Sequence, residues 1–176
     1  AAQLYNESGD WLQVRDALRS QNLLQARSAG SSMRMARELT QRLETLSAAE
    51  VAVVADATLT ELSQLMWVAA CRRYTLVGEF AEEVLRERFL LLQPDLCTHH
   101  FDAFVRDKAL WHEEIADLSP TTLNKLRANL FTMLREADLL TDDGVIVPTV
   151  LATRVHEQFT RRMPSDIRFF PTRETA

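Results

Sequence analysis

Arginines dominate the chemistry this sequence offers. Of its twenty basic residues only Lys108 and Lys125 are lysines, and a guanidinium presents a planar fork of donors that matches phosphate or carboxylate bidentately. Between Ala17 and Arg42 five arginines (Arg19, Arg27, Arg34, Arg37 and Arg42) face a single acid, Glu38. That stretch has too few local carboxylates to pair with, which suits it to a polyanion. A second set follows Ser119. Thr121, Thr122, Asn124, Lys125 and Asn129 fall on the outward face of an expected helix, with Arg135 further along. These residue types reach phosphates and base edges, and near a helix start they are also ordinary capping residues. Arg154 and Arg161, seven apart and so nearly aligned on an expected last helix, extend the basic surface. Arg162 falls nearer that helix's apolar side.

Other chemistries find little support. Four widely spaced glycines cannot build a phosphate-cradling loop. No Gly-x-Ser-x-Gly elbow is present, and His112-Glu113 begins a His-Glu-x-x-His pair that fails at Ala116. The paired carboxylates Asp142-Asp143 sit on a turn, where solvated turn chemistry explains them. These absences predict a protein that is not an enzyme. Cys97-x-His99-His100-x-Asp102 has the ligand types of zinc, but a closed site needs four groups. Consecutive histidines on a helix also point about 100° apart, so no metal or other cofactor is expected. Cys71 and Cys97 give no disulfide framework, so a reducing cytoplasm is the expected compartment.

The whole chain has 176 residues, 47% hydrophobic and 26% charged, with a formal charge of −5. The acidity lies in the middle. Residues 1–46 hold six basic against five acidic groups, residues 47–120 six against thirteen, and residues 121–176 eight against seven. The net charge speaks against a polyanion partner; the distribution, with comparatively basic ends, speaks for one. No apolar run approaches the roughly 20 residues that span a bilayer, so no membrane partner is expected. The opening Ala1-Ala2, without Met, reads as a truncated or tagged start and is not assigned to any element.

The elements that must position these residues are helical nearly throughout. Ser8-Gly9-Asp10 caps a helix with Trp11, Val14, Ala17 and Leu18 on one face. Ser31 or Ser32 opens a second with a buried Ala36, Leu39, Leu43 and Leu46 stripe, which leaves Arg34 and Arg37 on the solvent face and Arg42 on its flank. Ser47-x-x-Glu50 is a capping box, Thr58 or Thr60 starts a further helix, and Gly78 marks a break. Ser119-Pro120 places Pro at the first helical position. Leu139 to Val147 then reads as two β-prone runs around an Asp-Gly turn, and Pro148 opens a last helix. The expected fold is therefore all-α, with seven or eight helices, a small C-terminal β-hairpin and a winged-helix-like element. It forms one domain over residues 1–176, with possible sub-lobes 1–95 and 96–176.

Leu4-Tyr5-Asn6, Gly9-Asp10-Trp11, Asn22-Leu23-Leu24, the Arg34 to Leu46 segment and Pro164-Ser165-Asp166-Ile167 resemble the BrxA family, encoded in BREX (bacteriophage exclusion) operons. The resemblance covers the whole chain and rests on overall pattern, since no catalytic motif defines that family. It implies a cytoplasmic, non-enzymatic component of a phage-defence system. Members of that family have been likened to NusB antitermination proteins, which are all-helical and bind RNA. The combined expectation is an accessory component that binds double-stranded DNA through Arg–phosphate contacts, beside other BREX proteins. A protein–protein scaffold within the defence complex and NusB-like RNA binding are the alternatives.

Overall fold

Small polar residues ahead of apolar stripes open several of the helices, the longest among them. In the computed structural model, which describes residues 1–174, α1 (Ala2–Ser8) ends at Gly9 and α2 (Trp11–Ser20) starts where Asp10 accepts the Leu12 N–H at 2.7 Å. Tyr5 stacks on Trp11 with ring centroids 4.0 Å apart, which locks α1 against α2. Ala2, which the sequence alone leaves unassigned, is buried inside α1. α3 (Ala29–Leu43) begins earlier than expected because Ser28, not Ser31 or Ser32, accepts the cap bond. α4 (Ala48–Ala55) and α5 (Leu59–Arg73) each open on a reciprocal capping box, Ser47 with Glu50 and Thr58 with Glu61.

α5 ends at the Arg72-Arg73-Tyr74 segment, as the sequence pattern predicts, but the further break expected at Gly78 is absent. Tyr74 has extended backbone, and α6 (Thr75–Phe80) runs through Gly78 into a π-helical turn (Ala81–Arg86) and α7 (Glu87–Leu90). Gly78 is a packing residue. A Cβ there would stand 2.9 Å from the Cys71 carbonyl oxygen and 3.3 Å from Phe169. Gly78→Ala should therefore cost about 1–3 kcal/mol, the usual penalty of overpacking, read as a lowered midpoint in urea unfolding. Further on lie α8 (Thr98–Ala109), the short α9 (Glu113–Ala116), α10 (Pro120–Glu136), α11 (Thr153–Phe159) and a 3-10 turn, Asp166–Phe169. Ser119 caps α10 as the Ser-Pro signal predicts.

No β-strand occurs among the described residues, and the expected C-terminal hairpin and wing are absent. Leu139 to Val147 forms a tight turn closed by one isolated bridge, Leu140 to Ile146. Its far arm turns instead to the connector before α8. Ile146 N–H donates to the Pro94 carbonyl at 2.7 Å, and Leu96 N–H donates to the Gly144 carbonyl at 2.8 Å. Leu139, Leu140 and Ile146 are all buried, so the segment is drawn onto the core and does not project as a ribbon. Gly144, at φ 85, also passes so close to the Leu96 carbonyl that a Cβ would lie 2.8 Å from its oxygen.

α11 likewise starts later than Pro148. Gln64 on α5 donates to the Val150 carbonyl (2.9 Å) and accepts the Ala152 N–H (3.0 Å), holding that stretch extended against α5. The tail then crosses back over the molecule. Trp67 Nε1 donates to the Phe169 carbonyl at 2.9 Å, and Arg86 donates to the carbonyls of Ile167, Phe170 and Glu174. The main buried cluster runs from Val53 to Phe170 and includes Phe80, Phe101, Phe104 and Phe131. It thus draws on both sides of residue 95.

A buried ion triad ties the tail to α4 and α5. Arg72 meets Glu50 and Asp166 at 2.6 Å each and donates to the Thr45 carbonyl at 3.0 Å. Burial alone would raise the Glu50 pKa. The hydrogen bonds from Arg72 and the Ser47 N–H, with the guanidinium charge, outweigh it and hold the carboxyl below its ordinary range. Among the described residues no helix is long and apolar enough to cross a membrane.

Candidate nucleic-acid interface

The outward face of α3 begins with Arg34 and Arg37, both exposed. One turn further along that face stand Glu38 and Gln41, and both touch the end of α5. Gln41 accepts a bond from Arg73 Nη2 at 3.4 Å, and Glu38 accepts the Tyr74 hydroxyl proton. Arg42 pairs with Glu38 at 3.0 Å, and both Arg42 and Arg73 lie over the Tyr74 ring, 5.7 and 5.4 Å from its centroid. Four guanidinium groups, Arg34, Arg37, Arg42 and Arg73, therefore follow one ridge. Desolvation and the Glu38 carboxylate push the Tyr74 pKa up, so the ring stays neutral beside them.

The end of the ridge nearest α5, Glu38, Arg42 and Arg73, forms one wall of an open groove of about 800 Å³. The opposite wall is α10, which contributes Leu126, Asn129, Leu130, Thr132 and Met133, and the floor includes Leu76, Val77 and Phe101. Thr122, Lys125, Asn129 and Thr132 recur every three or four residues and so share one stripe of α10. Asn129 and Thr132 of the α10 stripe and Arg42 and Arg73 of the ridge thus face a common cleft, with Glu38 its single acidic lining residue.

Other sequence-nominated residues are engaged locally or lie elsewhere. Asn124 accepts a bond from Arg127, which is itself paired with Asp102 on α8. Thr122 shares its hydroxyl with the Ser119 cap, and Thr121 is exposed beside it. Arg19 sits at the end of α2 with Asp16 at 3.3 Å, and Arg27 is exposed just ahead of α3, roughly 20 Å along that helix from Arg42 at 1.5 Å per residue. Arg154 is held by Asp56 (2.8 Å) and Glu61 (3.7 Å) at the start of α5, the opposite end from Arg73. Arg161 lies past the end of α11, which stops at Phe159, so the expected helical alignment with Arg154 does not form; it bonds Gln158. Among the described residues no ion pair includes Arg27, Arg34, Arg37, Arg73 or Lys125; those closest to the ridge are Arg42–Glu38 and Arg15–Glu44.

Arg73 is the residue that sequence reasoning missed. Its signal is the adjacent pair Arg72-Arg73 at a helix end: neighbours 100° apart cannot both enter the core, and Arg72 is the one taken in.

A family model described as BrxA matches residues 1–162. The chain belongs to the BrxA family. Two curated BREX proteins BrxA are similar to it: one from Paramagnetospirillum magneticum strain AMB-1, 29% identical over 74% of this chain, and one from Escherichia coli O9:H4 strain HS, 28% identical over 66% of it. The matched regions cover 65% and 54% of those two BrxA proteins, so the chain spans under two thirds of the relatives' length. The crystal structure of an uncharacterized protein from Magnetospirillum magneticum shares the fold, with a TM-score of 0.74, 25% identity, and coverage of 88% of this chain and 80% of that one.

Proposed function

We propose that this BrxA-family chain is a non-enzymatic, cytoplasmic accessory component that binds double-stranded DNA, chiefly through its phosphates. The observation that carries the reading is the shared groove. Arg34, Arg37 and Arg73 have no carboxylate partner among the described residues; Arg42, Arg73 and Asn129 line one cleft, and Arg34 and Arg37 on α3 and Lys125 on α10 lie one turn beyond its lining on the same helices. Arginine forks grip phosphate oxygens, while the α10 stripe of Thr, Lys and Asn supplies further donors to backbone or base edges. The chain's net charge of −5 opposes non-specific adhesion, so binding depends on this local patch.

Four phosphate contacts, from Arg34, Arg37, Arg73 and Lys125, predict that log affinity for a short duplex falls with log salt at a slope of roughly −3.6, at about 0.9 per contact. Fluorescence anisotropy across a salt series reads this directly. A slope near zero, or no binding at low salt, contradicts the reading. Stronger competition by a structured RNA than by duplex DNA would make RNA the ligand.

One observation favours a second reading, an adaptor that docks other BREX proteins. Leu91 and Trp111, the latter 85% exposed, line one open groove, with the exposed Leu92 and Leu110 adjacent to them in sequence, and exposed apolar side chains brought together mark interaction surfaces. A partner pull-down that survives nuclease treatment, from a chain that fails to bind heparin at low salt, supports the adaptor reading over the DNA one.

A further inference from the structure

We propose that Cys97, His99 and His100 form a binding site for a divalent cation of the zinc class. The three residues open α8, and each offers one donor atom, all lying within 4.8 Å of one another. Cys97 Sγ stands 2.8 Å from His99 Nδ1 and 3.4 Å from His100 Nδ1, and the two imidazole centroids are 3.9 Å apart. Around a tetrahedral zinc ion, with bonds of about 2.3 Å to sulfur and about 2.0 Å to nitrogen, a sulfur and a nitrogen ligand stand roughly 3.6 Å apart. The Cys97–His100 separation already meets that requirement. His99 is exposed and needs to swing out by less than about 1 Å to reach the same value.

The helix start explains why consecutive histidines converge when a bare 100° step sets them apart. Cys97 is the N-cap, and the third helical residue, His100, turns back so that its Nδ1 accepts the Cys97 N–H at 3.0 Å. That is half of a capping box, the geometry that brings N-cap and third-residue side chains together. The chain ahead of the site is held in place: Leu96 is buried and bonded to Gly144, and Arg88 donates to the Asp95 carbonyl at 2.7 Å. The sulfur is thus presented from a fixed backbone.

The donor set selects the ion. One thiolate and two imidazoles suit zinc and similar borderline ions, whereas calcium and magnesium demand oxygen ligands. Binding deprotonates the Cys97 thiol and releases that proton to solvent. His100 Nδ1 exchanges the backbone N–H for the metal, and the freed N–H turns to water, which the exposure of Cys97 permits. Water completes the fourth position, so three protein ligands leave one site open.

The test uses the full chain, free of any histidine tag and stripped with a chelator, titrated with Co²⁺ and then Zn²⁺. One Co²⁺ per chain should appear with a near-ultraviolet thiolate charge-transfer band and the intense visible bands of four-coordination, and Zn²⁺ should bleach both. Cys97→Ser should abolish the charge-transfer band. His99→Ala should weaken Co²⁺ binding by more than the roughly 10- to 100-fold typical of losing an outer-shell partner. Both positions are exposed, so the metal-free variants should fold as the parent does. Absence of the thiolate band, or a band that persists in Cys97→Ser, overturns the proposal. Duplex binding plays no part in either readout.

Discussion

Replacing Arg34 and Arg37 together by glutamate should weaken duplex binding by more than 100-fold while leaving the fold intact. A hydrogen bond to a charged phosphate oxygen is worth about 1.5–3 kcal/mol, so removing two costs about 3–6 kcal/mol, and each 1.4 kcal/mol is a factor of ten. The salt slope should flatten from roughly −3.6 to roughly −1.8, because two of four phosphate contacts disappear. Neither side chain pairs with a carboxylate among the described residues, and both are exposed. Surface changes of this kind usually lie within about 0.5 kcal/mol each. Arg154→Glu is the matched control. That guanidinium is already engaged by Asp56 and Glu61 at the far end of α5, so its reversal should change affinity by less than a factor of three. Equal losses in both variants would mean that general charge, not the α3 ridge, governs binding.

Arg72→Met should destabilise the protein by about 3–5 kcal/mol, the cost of stranding buried partners of a broken ion pair. For a chain of this size each kcal/mol moves the melting temperature by about 2–4 °C, so calorimetry should show a fall of roughly 6–20 °C. Side-chain exposures of 8% for Arg72, 2% for Glu50 and 3% for Asp166 leave the two carboxylates no route to solvent once the guanidinium is gone. The triple variant R72M/E50Q/D166N should recover most of the loss, since it strands no charge. Acid should narrow the gap from the other side. The Glu50 pKa is depressed in the folded chain, so its stabilisation is complete at neutral pH and lost as pH falls through that depressed value. In R72M the same carboxyl gains stability on protonation. Wild type and variant should therefore converge below the ordinary glutamate range.

The features legible in the sequence are those written within a few residues of one another. The capping box at Ser47, a helix start at Thr58 or Thr60 and the Ser119-Pro120 start of α10 are local patterns; the structure contains the first and the last and settles the second on Thr58. The turn at Asp143-Gly144 is local as well, but the partner that captures its far arm is the Pro94–Leu96 connector, about fifty residues earlier in the chain. That long-range capture turns an expected wing into a tether. The candidate site divides the same way. Helical periodicity places Arg34 and Arg37 on one exposed face of α3 and sets Lys125 and Asn129 a turn apart on α10. Which of Arg72 and Arg73 enters the core depends on Asp166, 94 positions away, and Arg154 is claimed by Asp56, 98 positions away. Pattern within a helix cannot report such partners.

The central claim is that duplex DNA lies along the α3 ridge and the α10 stripe. Titrating a short duplex into ¹⁵N-labelled protein and following the backbone amide and arginine Nε–H signals by NMR tests it most directly. The account predicts shifts confined to residues 29–45, 72–77 and 121–133, with the Nε–H signals of Arg34, Arg37 and Arg73 moving most and that of Arg154 unmoved. Shifts centred on α11, or none at a salt concentration where binding is saturated, would contradict it.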